Sequence, residues 1–362
     1  MLTKLPSAFF YRTTTLRRDI CGMCSPFLAQ PRRIAIVILA FAATGFLPAR
    51  QNVATKKQTA LTVTEELVHV QTSDGITDGG ALFAAAGSSA SPIAVIWIHG
   101  SQLNFYDPSY VKIGRELAAR GLTTITGNTR MHDLGNLAAM RGEQRVRGGV
   151  YWGRHSEQVR DLAAWIDFAA GRGFKGVILA GHSAGTTAVQ AYQAETQDRR
   201  VAGLVIASGR VQPNTTPPDP ERLAQAKKLV GEGLGEALLL NPNRPTSFVS
   251  AATFLDLANM GLQLRDFYGV KTPNPPATRV HCPLLAWFGT KEPEIGTAAD
   301  LELLKSTLHR LPTGPSRVDT VMIQNADHMY RGEEAQVAQT IANWANALVP
   351  PSARRGAAPK RE

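Results

Sequence analysis

Residues 177–192 read VILAGHSAGTTAVQAY. An apolar run stops at Gly181, Ser183 stands between two glycines, and apolar residues then recur at helical spacing. An apolar run of this length closed by glycine predicts a strand buried on both faces. The pentapeptide Gly181-His182-Ser183-Ala184-Gly185 fits G-x-S-x-G between that strand and a helix. At such a corner the glycines allow a tight turn, and the serine hydroxyl stands exposed beyond the sheet.

The flanking sequence repeats this rhythm. LVHVQTSDGITDGGALFAAAG (67–87) predicts two short strands around an Asp-Gly turn, and IAVIWIHG (93–100) a buried strand. YVKIGRELAARG (110–121) predicts a helix ending at Gly121, LTTITGN (122–128) a strand, and SEQVRDLAAWIDFAAGRG (156–173) an amphipathic helix. VAGLVIASG (201–209) is a further strand. After an interruption, strand PLLAWFG (283–289), helix 298–311, strand VDTVMIQ (318–324) and helix 333–349 complete the series. Strands alternating with helices predict an α/β fold, a doubly wound and mostly parallel sheet covered on both faces. Its chemistry belongs at the carboxyl ends of the strands. Residues 211–278 break the alternation with proline-rich joints and two helical stretches, and no strand is predicted there. They read as an inserted cap within a domain spanning 61–349.

The chain has 362 residues and a net charge of +10. That charge sits at the ends. Residues 1–60 carry nine Lys/Arg against one Asp, and 350–362 carry four against one Glu, which leaves 61–349 at −1. The body is therefore not expected to bind nucleic acid. Residues 1–60 read as a targeting segment and linker. Two arginines precede about 14 apolar or small residues, Ile34 to Leu47, which suits an export signal better than a membrane span. Cleavage after Ala49 or Ala54 is expected, with translation from Met1 or Met23; the alternative is an uncleaved membrane anchor at 34–49. The expected location is thus periplasmic or extracellular. Residues 350–362 read as a basic disordered tail. Cys21 and Cys24 precede the apolar segment, and Cys282 is read as a buried, inert thiol.

A serine hydroxyl needs a general base to become a nucleophile. Of the eight histidines, His328 follows the last predicted strand and precedes the last helix, where this chain order places the base. His182 should point away from the serine, and His99 should support its own loop. The base needs a carboxylate to fix its tautomer. Glu292, three residues past Gly289, is the first choice and Glu294 the second; Asp300, Asp327 and Asp219 are less well placed. Backbone N–H groups of Ala184 and of Ser101, or alternatively Gln102, would meet a developing oxyanion. No histidine pair has metal-ligand spacing, so neither a metal nor a cofactor is expected.

WIHGSQ (97–102), GHSAG (181–185), LLAWFGTKEP (284–293) and ADHM (326–329), in this order, resemble the α/β-hydrolase superfamily across 61–349. The resemblance implies Ser183 as nucleophile, Glu292 as acid and His328 as base, with Ser101 and Ala184 at the oxyanion. Glutamate stands where aspartate is commoner. GNTRMHDLGN (127–136) and GGVYWG (148–153) faintly resemble a branch that includes siderophore esterases. The expected reaction is cleavage of a small-molecule carboxylic ester or lactone through an acyl-enzyme. Thioesterase, amidase or acyltransferase chemistry would use the same residues, and a non-catalytic binding protein on this fold is the reading from another class.

Overall fold

The computed structural model describes residues 63–85, 91–139, 144–241 and 244–348. The expectations for 1–60 and 350–362 lie outside these residues. Among the described residues, no helix is long and apolar enough to cross a membrane.

Eight strands form the central sheet: β1 (Val63–Gln71), β2 (Thr77–Ala85), β3 (Ile93–Ile98), β4 (Thr124–Gly127), β7 (Gly176–His182), β8 (Val201–Ala207), β11 (Leu284–Gly289) and β12 (Val318–Ile323). Their order is β1-β2-β4-β3-β7-β8-β11-β12. The pairings β1–β2 and β2–β4 are antiparallel and the rest parallel. From β3 the chain moves outward to β4 and returns to place β7 on the other side of β3. The crevice beyond the carboxyl ends of β3 and β7 is therefore a topological switch point, where open α/β sheets bind ligands. The loops leaving these strands begin at His99 and Ser183.

Period-2 alternation in β3 divides the core. Ile96 and Ile98 face a cluster with Leu162 and Trp165 of α2 (Gln158–Gly171) and Val189 and Tyr192 of α3 (Gly185–Thr196). Val95 and Trp97 face Tyr110 and Ile113 of α1 (Pro108–Ala119) and Val337 and Ile341 of α8 (Glu334–Leu348). Both faces of β3 are thus water-free, as its unbroken apolar sequence requires. Helix α7 (Ala298–His309) covers β11 and β12 and adds Leu301 and Leu304 to the cluster on the α2 and α3 face.

Two hairpins depart from the sequence reading. β5 (Asn136–Ala139) pairs with β6 (Arg145–Gly148), and β9 (Leu238–Asn241) pairs with β10 (Arg244–Ser250). The second corrects the expectation that 211–278 contains no strand. Both pairs are short, and β5 has none of the β-branched or aromatic residues that mark a strand. The segment between β8 and β11 also holds α4 (Pro220–Gly231), α5 (Ala251–Asn259) and α6 (Leu262–Arg265).

A largely buried ion cluster ties the β1–β2 ribbon to the body. The Arg130 guanidinium donates to Asp161 at 2.7 Å, to Asp74 in the β1–β2 turn at 3.0 Å and to Glu157 at 2.8 Å. Burial works to raise the Asp74 carboxyl, but hydrogen bonds from Arg130 and Thr72 outweigh it and hold the group well below the usual carboxylate range. The nearby Asp78 carboxyl is pushed well up, chiefly by burial.

Candidate active site

The corner after β7 is sterically exacting. A Cβ on Gly185 would lie 2.5 Å from the His99 carbonyl oxygen, and one on Gly181 would overlap the Gly185 carbonyl. Ser183 has φ of 51°, left-handed backbone that a non-glycine residue adopts only under constraint. Its N–H donates to the Ala207 carbonyl at 2.9 Å, which pins the corner to the end of β8.

Three of the residues singled out in the sequence meet here. His328 Nε2 lies 3.0 Å from Ser183 Oγ, and His328 Nδ1 lies 2.6 Å from Glu292 Oε2. A carboxylate only accepts, so Nδ1 carries the proton and Nε2 presents its lone pair to the serine hydroxyl. Glu292 is fully buried, whereas Glu294 is exposed; the second-choice acid is not part of this arrangement. Ser101 and Ala184 line one small cavity together.

The sequence did not reveal how Glu292 is held. Its Oε1 accepts from the Gly289 N–H and from Ser208 Oγ, each at 2.5 Å. With Ser208 donating to Glu292, Tyr330 donates its hydroxyl proton to Ser208 across 2.6 Å. A buried carboxyl group hydrogen-bonded on both oxygens keeps its orientation. Ser208 and Tyr330 also have left-handed backbone, φ 54° and 59°. With Ser183, three residues of constrained backbone thus belong to one hydrogen-bonded chain through His328 and Glu292.

His182 does point away from the serine, but it is not idle. It is fully buried, and burial followed by the neighbouring His328 lowers its pKa to about 3, so the ring is neutral. Its Nε2–H donates to the His328 carbonyl at 2.7 Å. Its Nδ1 accepts from Tyr110 OH at 2.6 Å, and that hydroxyl accepts from the Gly100 N–H at 3.1 Å. One chain of hydrogen bonds thereby joins the loop after β3 to the backbone of His328. His99 supports its loop as expected: Nδ1 donates to the Gly100 carbonyl, and Nε2 accepts from the Thr129 N–H. Burial lowers its pKa to about 4.

Two cavities flank Ser183. The smaller, shared by Ser101 and Ala184, is also lined by His155 and Gln158. The larger, about 330 Å³, opens between the start of α3, the loop after β8 and residues 263–268. That volume suits a small ligand. Among the described residues, no group of His, Cys, Asp and Glu is arranged to hold a metal ion. Cys282 is partly buried, and burial pushes its thiol up to about 12.

The model of the alpha/beta hydrolase family matches residues 95–340 of this chain. No curated protein matches it by sequence. Among solved structures, Est1E from Butyrivibrio proteoclasticus superimposes with a TM-score of 0.51 at 14% identity, covering 78% of this chain and 98% of that one. The same protein with ferulic acid bound gives 0.52 at 15% identity, with the same coverage. DcsB in complex with its substrate analogue gives 0.55 at 14% identity, covering 79% of this chain and all of that one. At these identities the likeness is one of fold. The faint similarity to a siderophore-esterase branch gains no support from these comparisons.

Proposed function

Since the chain belongs to the alpha/beta hydrolase family, we propose that it is a serine hydrolase that cleaves a carboxylic ester or lactone through an acyl-enzyme. The observation that carries this reading is the continuous Ser183–His328–Glu292 hydrogen-bond chain, 3.0 Å and 2.6 Å, at the switch point of the sheet. Ser183 Oγ attacks the carbonyl carbon while His328 Nε2 takes its proton. Glu292 stabilises the imidazolium that forms. The carbonyl oxygen becomes an oxyanion facing the N–H groups of Ala184 and Ser101. Collapse breaks the bond to the alkoxy oxygen, and His328 returns the proton to the leaving alcohol. A water molecule, deprotonated by His328, then attacks the acyl carbon and releases Ser183 with its proton restored.

Labelling with a fluorophosphonate tests the reading. The reagent is expected to modify Ser183 in the wild-type protein and nothing in Ser183→Ala. The same substitution is expected to lower kcat on 4-nitrophenyl esters by on the order of 10⁴–10⁶. Retention of more than a few per cent of activity would remove Ser183 from its role. Absence of both labelling and ester cleavage in the wild type would leave a binding protein on this fold.

A further inference from the structure

The larger cavity beside Ser183 carries two arginines, Arg210 in the loop after β8 and Arg265 at the end of α6. Many of the fold's guanidiniums pair with carboxylates, among them Arg115 with Glu65, Arg172 with Glu66, Arg200 with Asp198 and Arg317 with Asp319, while Arg222 lies over Phe254 and Arg279 donates to the Ala194 carbonyl. Among the described residues, neither Arg210 nor Arg265 has a carboxylate within ion-pair distance. Asp266 also lines the cavity, but its oxygens accept from the N–H groups of Val270, Lys271 and Thr272 and from the Thr272 hydroxyl. It is engaged in holding its own loop. The backbone that carries Arg265 is fixed in turn, because its carbonyl accepts from the Asn214 N–H at 2.7 Å. That bond joins the two walls from which the arginines arise.

A guanidinium stays charged at any working pH, and its planar fork matches a carboxylate. Two of them line a small cavity next to Ser183, whose one carboxylate is already engaged, and their charge would favour an anion there. Resting on the serine-hydrolase reading, we infer that the substrate is a small ester or lactone that carries a carboxylate away from the scissile bond. Arg210 and Arg265 would bind that carboxylate while the scissile carbonyl lies at Ser183.

Paired probes test this. On the acyl side, 4-nitrophenyl hydrogen adipate is compared with its methyl ester; on the alcohol side, 4-(hexanoyloxy)benzoate with its methyl ester. The wild type is expected to favour the carboxylate member of one pair by about tenfold or more in kcat/KM, and the pair shows which side is charged. In Arg210→Gln/Arg265→Gln that ratio is expected to fall to about one or below, and Arg265→Lys to keep part of it. No preference in either pair, or a preference that survives the double substitution, overturns the inference. Calorimetry of adipate with Ser183→Ala protein reads the same site without catalysis. Binding that requires Arg210, an exposed residue, supports the proposal; no binding counts against it. If Ser183 resists fluorophosphonate and no probe is cleaved while adipate still binds, the hydrolase reading fails and the anion site stands.

Discussion

The backbone carbonyl of His328 accepts a hydrogen bond from His182 Nε2–H, 2.7 Å away, so the residue preceding the corner serine anchors the chain that carries the proposed base. The serine and its base are thereby registered to each other twice, once through side chains and once through this backbone contact. In the neutral ring, Nε2–H makes this anchor while Nδ1 accepts from Tyr110, so one buried imidazole serves both contacts.

That neutrality gives the fold an acid sensitivity. A histidine unfolds to a pKa near 6.5, whereas His182 is held at about 3 and His99 at about 4, by burial in both cases. Lowered histidine pKa values mean that the unfolded chain binds more protons below pH 6.5. The stability these two groups confer is therefore full above that pH and declines as pH falls toward 4 and then 3. Near pH 5 they contribute an uptake of about two protons on unfolding. His182→Gln is expected to reduce the wild-type uptake by about one. Urea titrations from pH 4 to 7 measure it, and equal slopes for the two proteins would contradict the assignment.

Glu292 and Glu294 separate by burial and contact. Glu292→Gln removes the charge that faces the imidazole while keeping the side-chain size. It is expected to lower kcat on 4-nitrophenyl esters by roughly 10²–10⁴, less than loss of Ser183, because the base and the oxyanion donors remain. Glu294→Gln is expected to stay within a few-fold of wild type, since that side chain is exposed. The reverse order would exchange their roles.

Ser208 and Tyr330 support Glu292 in series. Ser208→Ala removes one of the carboxylate's donors and also leaves the Tyr330 hydroxyl without its acceptor. It is expected to destabilise the fold by about 1–3 kcal/mol and to lower kcat by about tenfold. Tyr330→Phe leaves Ser208 donating to Glu292 and should cost less on both measures. Thermal unfolding and steady-state kinetics of the two variants check the ranking; a larger loss of kcat in Tyr330→Phe would place the tyrosine nearer the chemistry.

The amino-terminal segment is tested on cell fractions. Sequencing the mature protein is expected to give a start near residue 50 in an exported fraction. A start at Met1 or Met23 in soluble cytosol would refute export, and the same start on membranes would favour an anchor at 34–49.

The parts of the fold that were legible in the sequence are those whose signal is local. Buried parallel strands such as 93–98 and 176–182 are continuous apolar runs, and the corner at Ser183 carries its glycines beside it. Glu292 and His328 could be chosen by position because the chain order of such sheets fixes which strand ends converge. Their support could not. Ser208 meets Glu292 across 84 residues and Tyr330 across 122, and a serine in VIASGR looks like an ordinary strand end. The two hairpins escaped for a related reason: short strands that pair with each other have little periodicity to display.

The cluster around Arg130 bears on how this chain can be shortened. Asp74 comes from the turn between the first two strands, so the outermost antiparallel ribbon contributes a counter-charge to the Arg130 guanidinium, which lies just past β4, the strand the ribbon pairs with. Stripping away residues 63–85 would do more than bare a strand edge. It would take one of three counter-charges from a largely buried cation, which Asp161 and Glu157 would still face. A trimmed version meant to keep this cluster whole therefore starts ahead of Val63.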